Sequence, residues 1–281
     1  MDRIKIIGHR GDIMTSTENS ASAILACSKN PNIDGTEFDI RPTSDDKIVV
    51  IHNDTIPNLN GKMTKIYDLT LEEINHLRFR INLMDQILLK GFHLLKSDRY
   101  YYNRYCEISR QSSNIPIFDD IMKEYSPNKH MLIELKGKVD EYSAKKQAIF
   151  EDNIVEILKQ YDYQSRDLTL ESYNFDALFR IKNKLPDLKI IALVNKFGSL
   201  KCLDMPFDGV SLEHVMLNPN VINKIINNKM MLYSWDWKKS LKHSQNIDKI
   251  FSPFAKEIKT GELPLYVIND FPEKARQYIK I

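Results

Sequence analysis

A TIM (β/α)8 barrel of the α/β class is the fold this sequence predicts, and three observations carry the prediction. Short apolar runs alternate with amphipathic segments along most of the chain, the pattern of a parallel sheet wrapped by helices. Nine segments read as strands. Two of these, 35–41 and 47–52, are joined only by Pro42 to Asp46, whereas parallel neighbours need a crossover of about a dozen residues. Segment 47–52 is therefore an antiparallel hairpin strand, and eight strands remain to close a barrel.

The elements follow in order. Ile4 to Gly8 is an apolar run ending in glycine, the first strand. Glu18 to Lys29 places Ala21, Ile24, Leu25 and Ser28 at helical spacing, with Asn19 or Ser20 as cap. Gly35 to Arg41 and Lys47 to His52 are rich in β-prone residues. Thr70 and Glu73 have the spacing of a capping box that opens a helix. Ile117 to Tyr125 is a short helix, Met131 to Lys136 a strand, and Asp140 to Tyr161 a long helix. The second half repeats the rhythm, with strands at 167–171, 188–194, 208–212, 230–235 and 265–268. Its helices are Asn174 to Lys184, Pro219 to Asn228 and Pro272 to Ile279. The stretch from about 80 to 114 breaks the rhythm and reads as a small inserted cap.

The 281 residues make one large or two ordinary domains at roughly 150 residues each. Eight strands without a linker favour one domain, 1–281. A net charge of +2 is too even to predict nucleic-acid binding. The cap mixes arginines and lysines with Tyr100, Tyr101, Tyr102 and Tyr105, which reads as a helical cap on the barrel rim or a lid over substrate. Cys27, Cys106 and Cys202 lie far apart, an odd number with no metal or redox spacing, so reduced structural thiols in a reducing compartment are expected. No apolar run reaches the roughly 18–20 residues of a membrane span, and Met1 to Ile7 leaves no room for a leader, so a cytoplasmic chain without stable membrane insertion is expected. No heptad pattern indicates an oligomeric state.

Barrel enzymes work at the carboxyl ends of their strands. There the sequence puts His9 and Arg10, then Glu37 and Asp39, then His52, then Glu134 and Lys136. Residues two apart in a strand share a face, so Glu37, Asp39, Glu134 and Lys136 point to one side. Each carboxylate alone reads as solvated or salt-bridged. Three converging carboxylates repel unless something positive joins them, and all-oxygen ligands suit a hard cation, Mg²⁺ or Ca²⁺. His9 and His52 at neighbouring strand ends make an acid–base pair, and Arg10 and Lys136 suit a phosphate. Trp235 and Trp237 share a strand face, for core packing or for stacking on substrate. The other five histidines read as structural.

These segments resemble a known family. Gly8-His9-Arg10-Gly11, Glu18-Asn19-Ser20, Glu37-Phe38-Asp39 and His52-Asn53 are similar to the ordered motifs of the glycerophosphodiester phosphodiesterases. The similarity continues through Ile115 to Asp120, Glu134-Leu135-Lys136, Leu170 to Tyr173, Ser234 to Trp237 and Val267 to Pro272. It therefore runs from residue 6 to about 279. It implies a TIM barrel, one divalent cation held by Glu37, Asp39 and Glu134, His9 and His52 as acid and base, and phosphate contacts from Arg10 and Lys136. The implied reaction is hydrolysis of a small-molecule glycerophosphodiester to glycerol phosphate and an alcohol, within glycerol and lipid metabolism. Asn53, Asn58 and Lys238 depart from the family pattern, outside the expected metal and histidine sets, and bear on substrate choice. The alternatives are a phospholipase D-like lyase that releases cyclic phosphate, and a non-catalytic barrel that binds phosphodiesters.

Overall fold

The computed structural model describes residues 4–78, 103–104, 107–108, 110–137, 141–195, 197–235 and 247–279. The first half supplies β1 (Lys5–Gly8), β2 (Gly35–Pro42), β3 (Ile48–Val50), β4 (Thr55–Pro57), β5 (Met63–Lys65) and β6 (His130–Leu135). The second half supplies β7 (Leu168–Ser172), β8 (Lys189–Val194), β9 (Gly209–Glu213), β10 (Met231–Trp235) and β11 (Leu265–Asn269). Around the barrel the order is β1, β2, β6, β7, β8, β9, β10, β11, and β11 pairs back to β1. All eight contacts are parallel, as the strand count requires.

The expected hairpin strand is present, and its register matters for the site. β1 pairs with β2 only at Gly35 and Thr36. Higher up, β3 takes that edge of β2 in antiparallel register, with Ile40 opposite Val50. The chain leaving β3 thus runs back along β2, and the Ile51 amide bonds the Asp39 carbonyl at 2.9 Å. His52 follows directly and approaches the barrel mouth against the direction from which His9 leaves β1.

Helix starts follow their caps. Helix α1 (Ala21–Lys29) begins after Ser20, whose side chain accepts from the Ala23 amide. Of the two expected caps Ser20 is the one used, so Asn19 and Glu18 lie in the loop before the helix, where the spacing had put Glu18 inside it. α2 (Leu71–Asn75) carries the expected capping box. α3 (Phe118–Glu124) precedes β6, and α4 (Ala144–Gln160) starts later than residue 140 because Ser143 caps it. α5 (Phe175–Lys184), α6 (Pro219–Asn227), α7 (Ala255–Thr260) and α8 (Pro272–Tyr278) complete the described helices. The small β4–β5 ladder and α7 were not foreseen. The cap expected at about 80–114 falls mostly outside the described residues, as do Trp237, Lys238 and Cys106.

The strands alternate in the way a packed barrel demands. Outward residues such as Ile6, Phe38, Ile133 and Leu170 join the helices in one buried core. Each such side chain contributes about 1.5–3 kcal/mol by leaving water. Inward, Ile7, Leu132, Ile191, Tyr233 and Ile268 form a separate cluster inside the barrel. Beneath it His130 is buried, its Nδ1 3.0 Å from Asp167 and its Nε2 3.0 Å from the Tyr233 hydroxyl. The expectation that this histidine is structural thus fits its place at the barrel floor. Cys27 and Cys202 are buried free thiols. Among the described residues no helix is long and apolar enough to cross a membrane.

Candidate active site

The layer above the inner apolar cluster is polar, and it forms a cavity of about 140 Å³ at the carboxyl ends of the strands. The residues expected to hold the cation, the phosphate and the proton, together with Trp235, reach this layer. His9, Arg10, Glu37, His52, Glu134, Lys136 and Trp235 line the cavity, with Asp39 buried beside them. Register explains the convergence. Asp39 sits opposite Glu134 across β2 and β6, and Glu134 sits opposite Glu171 across β6 and β7.

The first βα loop is bent back on itself. Arg10, Gly11 and Asn19 all have positive φ, at 57°, 91° and 54°. For Arg10 and Asn19 this conformation costs about 1–2 kcal/mol each, so neighbouring bonds must hold it. Gly11 has no substitute, because a Cβ there would lie 2.6 Å from the Ala23 backbone. The Arg10 amide donates to Glu37 at 2.9 Å, and its guanidinium donates to Glu18 at 2.8 Å. Asn19 donates from its backbone to the Arg10 carbonyl at 2.9 Å and from its side chain to Asp39 at 2.7 Å. The strained loop therefore clamps two carboxylates of the cluster.

One oxygen from each of Glu37, Asp39 and Glu134 lies within 4.8 Å of the others, and all three residues are buried. Lys136 reaches Asp39 at 2.9 Å and Glu134 at 2.7 Å. Burial, then the neighbouring Asp39 and Glu134, pushes Glu37 well above the usual carboxyl range. Burial likewise raises Glu134 to about 7, against the pull of Lys136. Burial works against the charge of Asp39 too, but Lys136 and Arg10 outweigh it and hold this carboxyl well below its ordinary value. The donor set fits a hard divalent cation: three buried oxygen ligands converge, and two of them resist ionising without added positive charge.

The histidines differ. His9 Nδ1 lies 2.5 Å from Asp270, just after β11. A carboxylate only accepts, so His9 carries its proton on Nδ1 and turns Nε2 toward Glu37, 3.9 Å away. Among the described residues, the His52 ring has a single long contact, to Asn53 at 3.4 Å. Its backbone is held instead, since Arg41 donates twice to the His52 carbonyl, at 3.1 and 2.9 Å. Burial, then the Arg10 charge, pulls the His52 imidazole down to about 2, so it is neutral.

Sequence reasoning missed four polar residues of this layer. Glu18 and Asn19 carried the motif but were read as helix start and candidate cap. Glu171 is buried, and burial followed by Glu134 raises its carboxyl to about 8. Asp270 is the His9 partner. Inward alternation on β7 and β11 was the available signal for the last two.

Barrels that handle phosphate esters gather such chemistry at this face, and this chain is a phosphoric diester hydrolase of that class. A profile of the Glycerophosphoryl diester phosphodiesterase family matches residues 9–250, and the chain belongs to that family. It is 24% identical over 238 residues to a glycerophosphodiester phosphodiesterase of Caldanaerobacter subterraneus subsp. tengcongensis, covering 82% of this chain and 84% of the relative. An Oleispira antarctica phosphodiesterase, solved in complex with the product sn-glycerol-3-phosphate, shares the fold with a TM-score of 0.69 at 18% identity, over 98% of this chain and 96% of that one. The glycerophosphodiester phosphodiesterase of Thermotoga maritima shares it with a TM-score of 0.63 at 18% identity, over 97% of each chain.

Proposed function

We propose that this chain, as one domain, hydrolyses small glycerophosphodiesters to glycerol phosphate and an alcohol, with one divalent cation, Mg²⁺ or Ca²⁺, held by Glu37, Asp39 and Glu134. The observation that carries the reading is the meeting of three buried carboxylates with two histidines of different character. When bound, the cation stabilises the charge that builds on the phosphoryl oxygens. Arg10 and Lys136 orient the phosphate from the same side, each already turned into the cavity by its carboxylate partners. His52, neutral and flanked by positive charge, takes the proton of the attacking hydroxyl, either water or the substrate's own glycerol oxygen, the second route passing through a cyclic phosphate that water then opens to glycerol phosphate. His9 is the acid. Asp270 fixes its Nδ1 proton and supports the imidazolium, so Nε2 can hand a proton to the leaving alcohol. The two buried thiols agree with a cytoplasmic setting.

Kinetics and calorimetry test these roles separately. His9→Ala and His52→Ala are each expected to lower turnover at least about 10²-fold while Mg²⁺ or Ca²⁺ still binds. Glu37→Gln and Glu134→Gln are expected to lose cation binding itself. Unchanged turnover in either histidine variant overturns its role, and cation binding unaffected by both glutamate variants overturns the ligand set.

A further inference from the structure

We infer that the β4–β5 hairpin docks the protein reversibly on an anionic lipid surface, with Leu59 and Met63 entering the headgroup layer and Lys62 and Lys65 meeting lipid phosphates. This inference goes beyond the phosphodiesterase reading and does not depend on it.

The hairpin has two unlike faces. β4 and β5 pair in antiparallel register, with Thr55 opposite Lys65, Ile56 opposite Thr64 and Pro57 opposite Met63. Residues directly opposite share a face, and successive residues alternate. Ile56 points inward, 4% exposed, into a small apolar cluster with Val49, Ile51, Ile66 and Leu69. Pro57, Met63 and Lys65 therefore point outward, and all three are exposed. The turn between the strands is tight. The Asn58 amide donates to the Lys62 carbonyl at 2.9 Å, and the Gly61 amide to the Asn58 carbonyl at 2.8 Å. Leu59 and Lys62 stand exposed on this tip.

The outer face combines apolar surface with positive charge. Leu59 is 69% exposed and Met63 57%. A single exposed apolar residue is ordinary, but two on one short hairpin form a patch. From Thr55 to Lys65 the sequence holds two lysines and no aspartate or glutamate. Lys65 donates to the Tyr67 hydroxyl at 2.7 Å, a neutral partner that leaves its charge uncompensated. Neither lysine has a carboxylate partner among the described residues.

This chemistry selects the partner. A stable protein interface takes roughly 20–30 residues a side, more than a projecting hairpin offers. Nucleic-acid phosphates suit the lysines but give leucine and methionine no place. A bilayer interface takes both, because apolar side chains sink to the headgroup boundary while lysines are drawn to anionic lipids. The hairpin also stands at the right end of the barrel. It leaves the fold just after His52 and returns at Leu69, whose carbonyl accepts from the Ser44 amide at 2.8 Å beyond the end of β2. Both ends are fixed at the carboxyl face, so docking through the tip brings the cavity mouth beside the lipid surface.

The test is sedimentation of the purified protein with vesicles of phosphatidylglycerol and phosphatidylcholine in equal parts, set against vesicles of phosphatidylcholine alone. The wild type is expected to partition onto the mixed vesicles, less onto phosphatidylcholine, and less at high salt. Leu59→Ser and Met63→Ser are each expected to lower the partition at least about fivefold through lost apolar insertion. Lys62→Gln and Lys65→Gln are each expected to lower it about fivefold, the weight of one basic side chain near an anionic surface. Lys159→Gln, in the exposed last turn of α4 away from the mouth, is the control and should leave it unchanged. Leu59→Trp should show a blue shift of its fluorescence on the mixed vesicles.

Wild-type protein that stays in solution with both vesicle types overturns the proposal, as does equal partition onto both. A partition that Leu59→Ser and Met63→Ser leave intact, or Leu59→Trp without a blue shift, overturns entry of the tip into lipid. An equal fall in Lys159→Gln means diffuse charge attraction and overturns the hairpin as its seat. Vesicle binding through the hairpin with no diester hydrolysed keeps the docking element and removes the phosphodiesterase reading. Diester hydrolysis by a protein that ignores vesicles does the reverse.

Discussion

At the scale of single residues, the His9–Asp270 contact decides which imidazole nitrogen faces the substrate. Asp270→Asn replaces a pure acceptor with a group that can also donate, so the wrong tautomer becomes available. A fall in kcat of about 10²-fold or more, with little change in KM, is expected. Wild-type kcat in that variant would remove Asp270 from the reaction. The carboxylates make a second prediction. Glu134 and Glu171 titrate at about 7 and about 8 in the fold, above their unfolded values. A raised carboxyl stabilises the fold in its protonated form, fully below the unfolded pKa of about 4.3, and this stabilisation is lost as pH rises through the folded value. Asp39 is shifted the other way, and its contribution is lost only in strong acid. The metal-free protein is therefore expected to lose melting temperature between pH 5 and 8 through Glu134 and Glu171. A divalent cation favours the ionised carboxylates and offsets the loss. Thermal melts with Mg²⁺ or Ca²⁺ and with EDTA should diverge by several degrees as pH rises, and a constant gap would count against the cluster as the cation site.

At the scale of elements, the antiparallel return of β3 delivers His52 to the mouth, and Arg41 secures it. Both guanidinium bonds to the His52 carbonyl come from a residue of β2, whose own strand also carries Glu37 and Asp39. Arg41→Ala should lower kcat about 10- to 100-fold through misplacement of the imidazole while leaving cation binding intact. Full activity would mean that the turn holds His52 unaided. This is also where the reach of the sequence is clearest. Glu37 and Asp39 were legible because a strand has a period of two, and His52 because a short loop forces antiparallel pairing. Glu18 was placed in the helix because helical spacing does not reveal which of Asn19 and Ser20 caps it. Ser20 does, and it frees Asn19 to adopt positive φ and reach Asp39. Asp270 stayed hidden as a partner because it meets His9 only when β11 closes against β1, 261 positions apart in the chain. Glu171 gave a fainter signal, one acidic residue in an apolar strand, whose meaning depends on its neighbour across β6 and β7.

At the scale of the whole molecule, the barrel separates stability from chemistry along its axis. The floor carries buried His130, linked to Tyr233 and to the partly exposed Asp167, the middle a layer of aliphatic side chains with Tyr233, and the mouth the charged cavity. The charge of Asp39 is tolerated at the mouth because the barrel supplies it with several partners, Lys136, Asn19 and Arg10. The most direct test of cation-dependent phosphodiester hydrolysis at this mouth is phosphorus NMR of a glycerophosphodiester panel. The purified protein is assayed with Mg²⁺ or Ca²⁺ and then with excess EDTA. The expected result is glycerol phosphate that accumulates with the cation and stops with EDTA. Turnover unaffected by EDTA, a cyclic phosphate that persists as the end product, or no product from any diester with the cation bound would contradict it.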